Sequence, residues 1–162
     1  MADIKNLKQY SRARERFEGA HLLCPGCAHG MIIREVLNAT DNPVFIAAST
    51  GCMEVSTAVY PHTSWDTPWI HIGFENSSTA AGCAEAMYKC LERKGRLYSD
   101  KKPKFVAIGG DGATYDIGFQ FISGTFERGH NITYVCLDNE VYANTGGQRS
   151  GSTPFAANTT TT

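Results

Sequence analysis

The chain has 162 residues, 42% of them hydrophobic, with 15 basic and 16 acidic side chains for a formal charge of −1. That is one domain with mass for a real core; the near-neutral balance without a basic stripe argues against nucleic acid as a primary partner, and no apolar run approaches bilayer length. Six cysteines would suit a disulfide framework only in a short secreted chain, and nothing at the N-terminus has the form of a signal peptide.

Taken in order, residues 3–17 read as a surface helix lying on another subunit; the stretch is mildly basic, but Asp3, Glu15 and Glu18 do not fit a targeting peptide. Cys24-Pro-Gly-Cys27 follows, opening a helix over 29–39. Strand 44–49 ends just before Cys52. Two close thiols and a distant one suit an iron–sulfur cluster or zinc, with a thioredoxin-like pair as the rival reading. His29, just inside its helix, either faces an anion at the helix N-terminus or packs there.

The next stretch carries Tyr60, His62, Trp65, Trp69 and His71 and reads as a subunit-interface loop, with a short strand over 69–73. Glu75-Asn76 precedes a helix over 78–93, where Asn76 or Ser77 is expected to act as the cap. Cys83 and Cys90, seven apart on that helix, read as core residues.

Residues 104–108 form an apolar strand leading into Gly109-Gly110-Asp111-Gly112, whose glycines let the backbone turn and approach a phosphate. A helix over 115–128, closed by Gly129, connects to a strand over 132–137 in which Cys136 is expected to be buried. A strand–helix–strand crossover places Asp111 and Asn139 at the carboxyl ends of two parallel strands, where open α/β sheets bind ligands. With the Val141 carbonyl they offer three oxygens to a hard cation such as Mg²⁺, itself an anchor for a diphosphate. The competing reading is a tight turn that caps a helix. Strands alternating with helices give an α/β fold, a parallel sheet with helices on both faces.

The segments 109–118 and 137–154, extended back through Thr50-Gly-Cys-Met-Glu54 and Cys24-Pro-Gly-Cys27, resemble the thiamine-diphosphate-binding beta subunit of the 2-oxoacid:ferredoxin oxidoreductases. Pyruvate:ferredoxin oxidoreductase is the best-known member and oxalate oxidoreductase a variant. The resemblance implies the thiamine-diphosphate-binding fold, with 1–162 as a single domain forming the N-terminal part of a longer subunit. It implies Mg²⁺ on Asp111, Asn139 and Val141, a diphosphate lined by Thr50, Gly51, Gly110 and Gly112, and Asn144 beside the reacting carbon. It also implies a [4Fe-4S] cluster on Cys24, Cys27 and Cys52, with a fourth ligand further downstream.

The activity so implied is oxidative decarboxylation of a 2-oxoacid in a cytoplasmic complex, with electrons passed to ferredoxin. Pyruvate would give acetyl-CoA and CO₂ with coenzyme A, and oxalate CO₂ without it. The implied partners are an alpha-type subunit, which supplies the glutamate that activates the aminopyrimidine, and a ferredoxin-like subunit. Two other classes stand beside this: a non-redox thiamine lyase or synthase, and a metal-stabilised electron-transfer or interaction module.

Overall fold

A computed structural model describes residues 6–11 and 14–161. A short helix α1 (Leu7–Tyr10) is followed by α2 (Ala28–Asn38), β1 (Val44–Ser49), α3 (Cys52–Val55), β2 (Trp69–Ile72), α4 (Ser77–Arg93) and β3 (Lys104–Gly110). A π-helical turn (Gly112–Asp116), α5 (Phe119–Glu127), β4 (Ile132–Leu137) and a two-residue hairpin pair, β5 (Val141–Tyr142) and β6 (Gln148–Arg149), complete the chain. Of the helix expected over 3–17, residues 3–5, 12 and 13 lie outside the described set. Residues 14–17 are not helical. Phe17 is buried instead, in an antiparallel bridge to Trp65 with the rings 5.0 Å apart. The neighbouring Arg16 reaches the carbonyls of Leu37, Thr40 and Asn42, satisfying orphan acceptors where α2 ends. Tertiary partners have overridden local helix propensity here.

The sheet is four-stranded and wholly parallel, in the order β2-β1-β3-β4. Its central strands are almost entirely buried, as continuous apolar runs require. One face carries the larger core, where Ile33 and Leu37 of α2, with Met53, Trp65 and Phe17, cover Ile46, Ala48, Val106 and Ile108. On the other face α4 sits close against Ala47 and Ala107, because its inward stripe is small: Ser77, Ser78, Ala81 and Gly82. That stripe excludes the cysteines. Cys83 is exposed and Cys90 half-buried, so neither is the core residue expected; both lie off the buried positions of α4. Cys136 is also only half-buried, on an edge strand, and takes a hydrogen bond from Thr114 at 3.2 Å. Trp65, read as interface, is core: its Nε1–H donates to the buried Thr57 hydroxyl at 2.9 Å.

The helix expected over 115–128 is split. Ile117 N–H bonds back five residues to Gly112 O, and a Cβ at Gly118 would stand 1.9 Å from the Ala113 carbonyl oxygen. Only glycine permits that crossing of the π-turn and α5. Gly129 closes α5 at φ +64°, the left-handed terminus its sequence suggested. Among the described residues, no helix is long and apolar enough to cross a membrane.

One buried charge ties α4 to the loop before β4. Glu85 is 3% exposed and meets Lys89 Nζ at 2.5 Å and His130 Nδ1 at 3.1 Å. Burial alone would raise its carboxyl, but hydrogen bonds from Lys89, His130 and the Asn131 backbone outweigh it and hold it below the ordinary value of 4.5. A carboxylate lowered in the folded state adds stability that is complete above its unfolded value and is lost as pH falls through the folded one. Glu85→Leu should therefore cost about 1–3 kcal/mol near neutral pH. The wild-type advantage over the variant should hold from pH 6 to near 4.5 and shrink as urea midpoints are taken further down, below 4.5; a pH-independent difference would contradict it.

Candidate functional site: a cofactor cavity at the strand ends

The parallel register sets Gly109 beside Cys136 and Gly110 beside Leu137, so the residues leaving β3 and β4 emerge as neighbours. With the end of β1 they border a cavity of about 210 Å³. Thr50, Gly51 and Cys52 line it from β1 and α3, Gly110, Asp111 and Gly112 from β3, and Asn139, Val141 and Asn144 from the segment after β4. His29 and Phe74 close it. Every residue read from the sequence for the diphosphate and its cation therefore borders one space, as does Cys52; Cys24 and Cys27 are not among its lining residues.

Asp111 is 4% exposed, so its carboxylate must be compensated locally. The Asn139 amide lies 3.0 Å from Asp111 Oδ1 and 2.7 Å from the Val141 carbonyl oxygen. With its nitrogen toward them, Asn139 donates to both. With its oxygen toward them, three oxygens converge, an arrangement that a cation satisfies. The backbone is bent to achieve this: Glu140, between the two ligand candidates, sits at φ +61°, and its N–H donates to Asp138 Oδ1 at 2.8 Å. Left-handed backbone at a non-glycine residue is a strained position of the kind that collects at functional sites.

Ser152, Tyr142 and its partners Asp116 and Gly151 were not legible beforehand. Ser152 Oγ lies 3.2 Å from Asp111 Oδ2 and 2.8 Å from Asp138 Oδ1, so the C-terminal strap reaches both acidic groups. Tyr142 donates its hydroxyl to Asp116 Oδ2 at 2.7 Å, and the same carboxylate oxygen accepts the Gly151 N–H at 3.0 Å. Burial, with Asp116 beside it, pushes the Tyr142 phenol upward. Ser152 and Tyr142 fall within the segment that carried the resemblance, but no spacing rule singles out either. The glycines also divide their roles. Gly110 opens on the cavity, whereas a Cβ at Gly109 would stand 2.3 Å from the Tyr134 hydroxyl and one at Gly112 2.3 Å from Tyr142 Cε1.

The β5–β6 hairpin carries the loop 143–147 to the cavity rim, where Asn144 is exposed. Burial raises the Cys52 thiol; the Asn144 backbone N–H, bonded to it, draws it down, and Cys24, Cys27 and Asp111 nearby push it up again. All three thiols are free, yet among the described residues no three or more His, Cys, Asp or Glu side chains stand grouped to hold a metal ion. Burial lowers the His29 imidazole, with Asp111 pulling the other way, and its buried Nδ1 has no hydrogen-bond partner. Asn76 is at the N-cap of α4 without a capping bond; its amide donates instead to Glu75 Oε1 at 3.0 Å.

Residues 49–162 match the family model described as thiamine pyrophosphate enzyme, C-terminal TPP binding domain, and the chain belongs to that family. More particularly, it is 51% identical to the pyruvate synthase subunit PorB of Methanocaldococcus jannaschii over 91% of this chain and 49% of that protein. It is 46% identical to the PorB subunit of Thermotoga maritima over 96% of this chain and 50% of that one. Among solved structures, a 2-oxoglutarate:ferredoxin oxidoreductase from Magnetococcus marinus shares the fold at a TM-score of 0.64 and 23% identity, covering 93% of this chain and 46% of that one. The chain spans about half the length of the curated relatives it matches.

The packing of Tyr142 on Gly112 gives a direct check. Gly112→Ala should lower the melting temperature by several degrees, about 1–3 kcal/mol of overpacking. In a Tyr142→Ala background the same change should cost little, because the clash is gone. Equal costs in both backgrounds would mean that the ring does not occupy this place.

Proposed function

We propose that the chain is the thiamine-diphosphate-binding part of a beta subunit of a 2-oxoacid:ferredoxin oxidoreductase. Pyruvate is the favoured substrate, on the names of its PorB relatives, with oxalate as the variant. The observation that carries this is the meeting of Asp111, Asn139 and the Val141 carbonyl at the ends of adjacent parallel strands, in a cavity that Cys52 also lines.

In this reading Asp111, Asn139 and the Val141 carbonyl hold Mg²⁺, the donor set being all oxygen, as that ion demands. Thr50, Gly51, Gly110 and Gly112 line the diphosphate, and Gly110 supports this with its open approach to the cavity. Cys24, Cys27 and Cys52 hold a [4Fe-4S] cluster; their free thiols and their mutual influence on Cys52 support it. Thiamine diphosphate supplies a nucleophilic carbon for the keto carbon of the 2-oxoacid, and the cluster an acceptor for single electrons.

What the chain itself contributes is placement. Ser152 shares its single hydrogen between Asp138 Oδ1 and Asp111 Oδ2, on the side away from the Oδ1 that meets Asn139. Met53, Ile108 and Leu137 give the cavity dry walls, which strengthen every charge interaction inside it. Asn144 offers its amide at the rim, to hydrogen-bond substrate oxygens as charge develops there. The partners are an alpha-type subunit that completes the site, a ferredoxin-like subunit and ferredoxin, in the cytoplasm.

The test is to purify the intact complex without oxygen and measure iron, sulfide, magnesium and thiamine diphosphate. Electron transfer to an artificial acceptor is then followed with pyruvate and coenzyme A, and with oxalate. Thiamine diphosphate together with iron, and reduction by one acid, is the expected result. Asp111→Ala should weaken magnesium-dependent cofactor binding by about 100-fold and Ser152→Ala by about tenfold. Cys52→Ala should lose iron yet keep the cofactor. Cofactor without iron would leave a non-redox thiamine lyase or synthase; iron without cofactor would leave an electron-transfer module.

A further inference from the structure

Behind the cavity wall lies a second polar constellation. Thr50 Oγ1 faces the His71 ring, 2.7 Å from Nε2, and the Ile72 carbonyl, at 3.5 Å, is the longer and weaker of its two contacts. On the other side of the ring, His71 Nδ1 is 3.4 Å from Glu54 Oε1. Glu54 is only 5% exposed, on the short helix that follows Cys52, and its second oxygen is buried without a hydrogen-bond partner. His71 belongs to β2, an edge strand, and its side chain is 48% exposed. A carboxylate has thus been taken out of water with one half-exposed imidazole as its partner, an expensive arrangement unless the imidazole is being held for something. Of the three residues only Thr50 lines the cavity.

Donor counting shows what the arrangement can do. The Glu54 carboxylate, 3.4 Å from Nδ1 and so at ion-pair rather than hydrogen-bond distance, favours the tautomer with a hydrogen on Nδ1. A neutral ring then has a bare Nε2, which accepts the single Thr50 hydrogen and leaves only lone pairs for the cavity. An anion against Thr50 needs the reverse: Thr50 must donate to it, and Nε2 must bring its own proton to satisfy Thr50. We propose that Glu54 and His71 are positioning residues for the diphosphate site: Glu54 fixes the ring, and His71 takes one proton from solvent when a diphosphate docks against Thr50, turning that hydroxyl from acceptor to donor. This rests on the reading of the cavity as a thiamine diphosphate site. The groups facing the imidazole are Glu54 from α3 and Thr50 from the end of β1, while its neighbour across the strand pair is the uncharged Ala48. No other charge need move. The added proton comes through the exposed side of the ring, and the imidazolium so formed sits between a carboxylate and the polarised Thr50 hydroxyl.

The consequence is measurable without turnover. Thiamine diphosphate with magnesium is titrated calorimetrically into the cofactor-free assembled complex at pH 7.5, in buffers of different ionisation heat. Wild type should take up more protons than His71→Phe, by up to about one per site, and its affinity should fall more steeply as pH rises. Thr50→Val should lose the same extra proton, whereas Thr50→Ser keeps it. Because His71 is half-exposed, His71→Phe tests the proposal even if changes at the buried Glu54 unfold the chain. Equal proton uptake in wild type, His71→Phe and Thr50→Val, with binding intact, would overturn the relay and leave the cofactor reading standing. Failure of the wild-type complex to bind thiamine diphosphate would overturn both.

Discussion

A carboxylate buried at the end of a central strand sets the terms for everything around it. Asp111 leaves β3 with 4% of its surface exposed, largely shielded from water on the wall of the cavity. Its charge has to be met by groups brought from other parts of the chain, and the parallel register supplies them: Gly110 lies beside Leu137, so the segment after β4 arrives at the right height. From that side the Asn139 amide reaches both Asp111 Oδ1 and the Val141 carbonyl oxygen, and Ser152 meets Oδ2 from the C-terminal strap. The left-handed turn at Glu140 follows from the same demand, since Asn139 and Val141 must both face inward across a single intervening residue.

The π-turn extends this logic into packing. A tighter helical start at Gly112 would not leave the same space between β3 and the Tyr142 ring, which lies against Gly112 and is anchored on Asp116. Wide single turns of this type occur often at functional sites. Here the turn joins a buried ligand candidate, Asp111, to a surface clasp, Asp116 with Tyr142 and Gly151. Hairpin and strap are thus both pinned to Asp116, and the strap also reaches Asp111 through Ser152.

The larger elements were legible because their signals are local. Strands 44–49 and 132–137 are short β-branched and apolar runs between turn residues, and they were bounded correctly. Gly129 marked its helix end through the one conformation that glycine tolerates best. The errors share a cause. Residues 14–17 left the expected helix because Phe17 and Arg16 found partners near Trp65 and the end of α2. Cys83 and Cys90 lie on one side of α4, as the period of a helix requires, but its buried stripe is made of serine, alanine, glycine and the ion-paired Glu85. Periodicity shows that a helix has sides; which side faces inward depends on what it meets.

The same division runs through the candidate site. The sequence by itself determined the α/β class and the chemistry on offer: a carboxylate between glycines, an amide about thirty residues on, and a C-x-x-C with a third cysteine. These are properties of residue type and spacing, which no fold can alter. The tertiary structure alone decided that Ser152 would reach Asp111, that Tyr142 would fill the space over Gly112, and that a buried Glu54 would hold His71 against Thr50. Those contacts join residues 17 to 41 positions apart, or depend on which face of a strand is turned inward. Sequence period repeats every two or 3.6 residues and carries no information about what lies across a layer. Long-range register and close packing supply it.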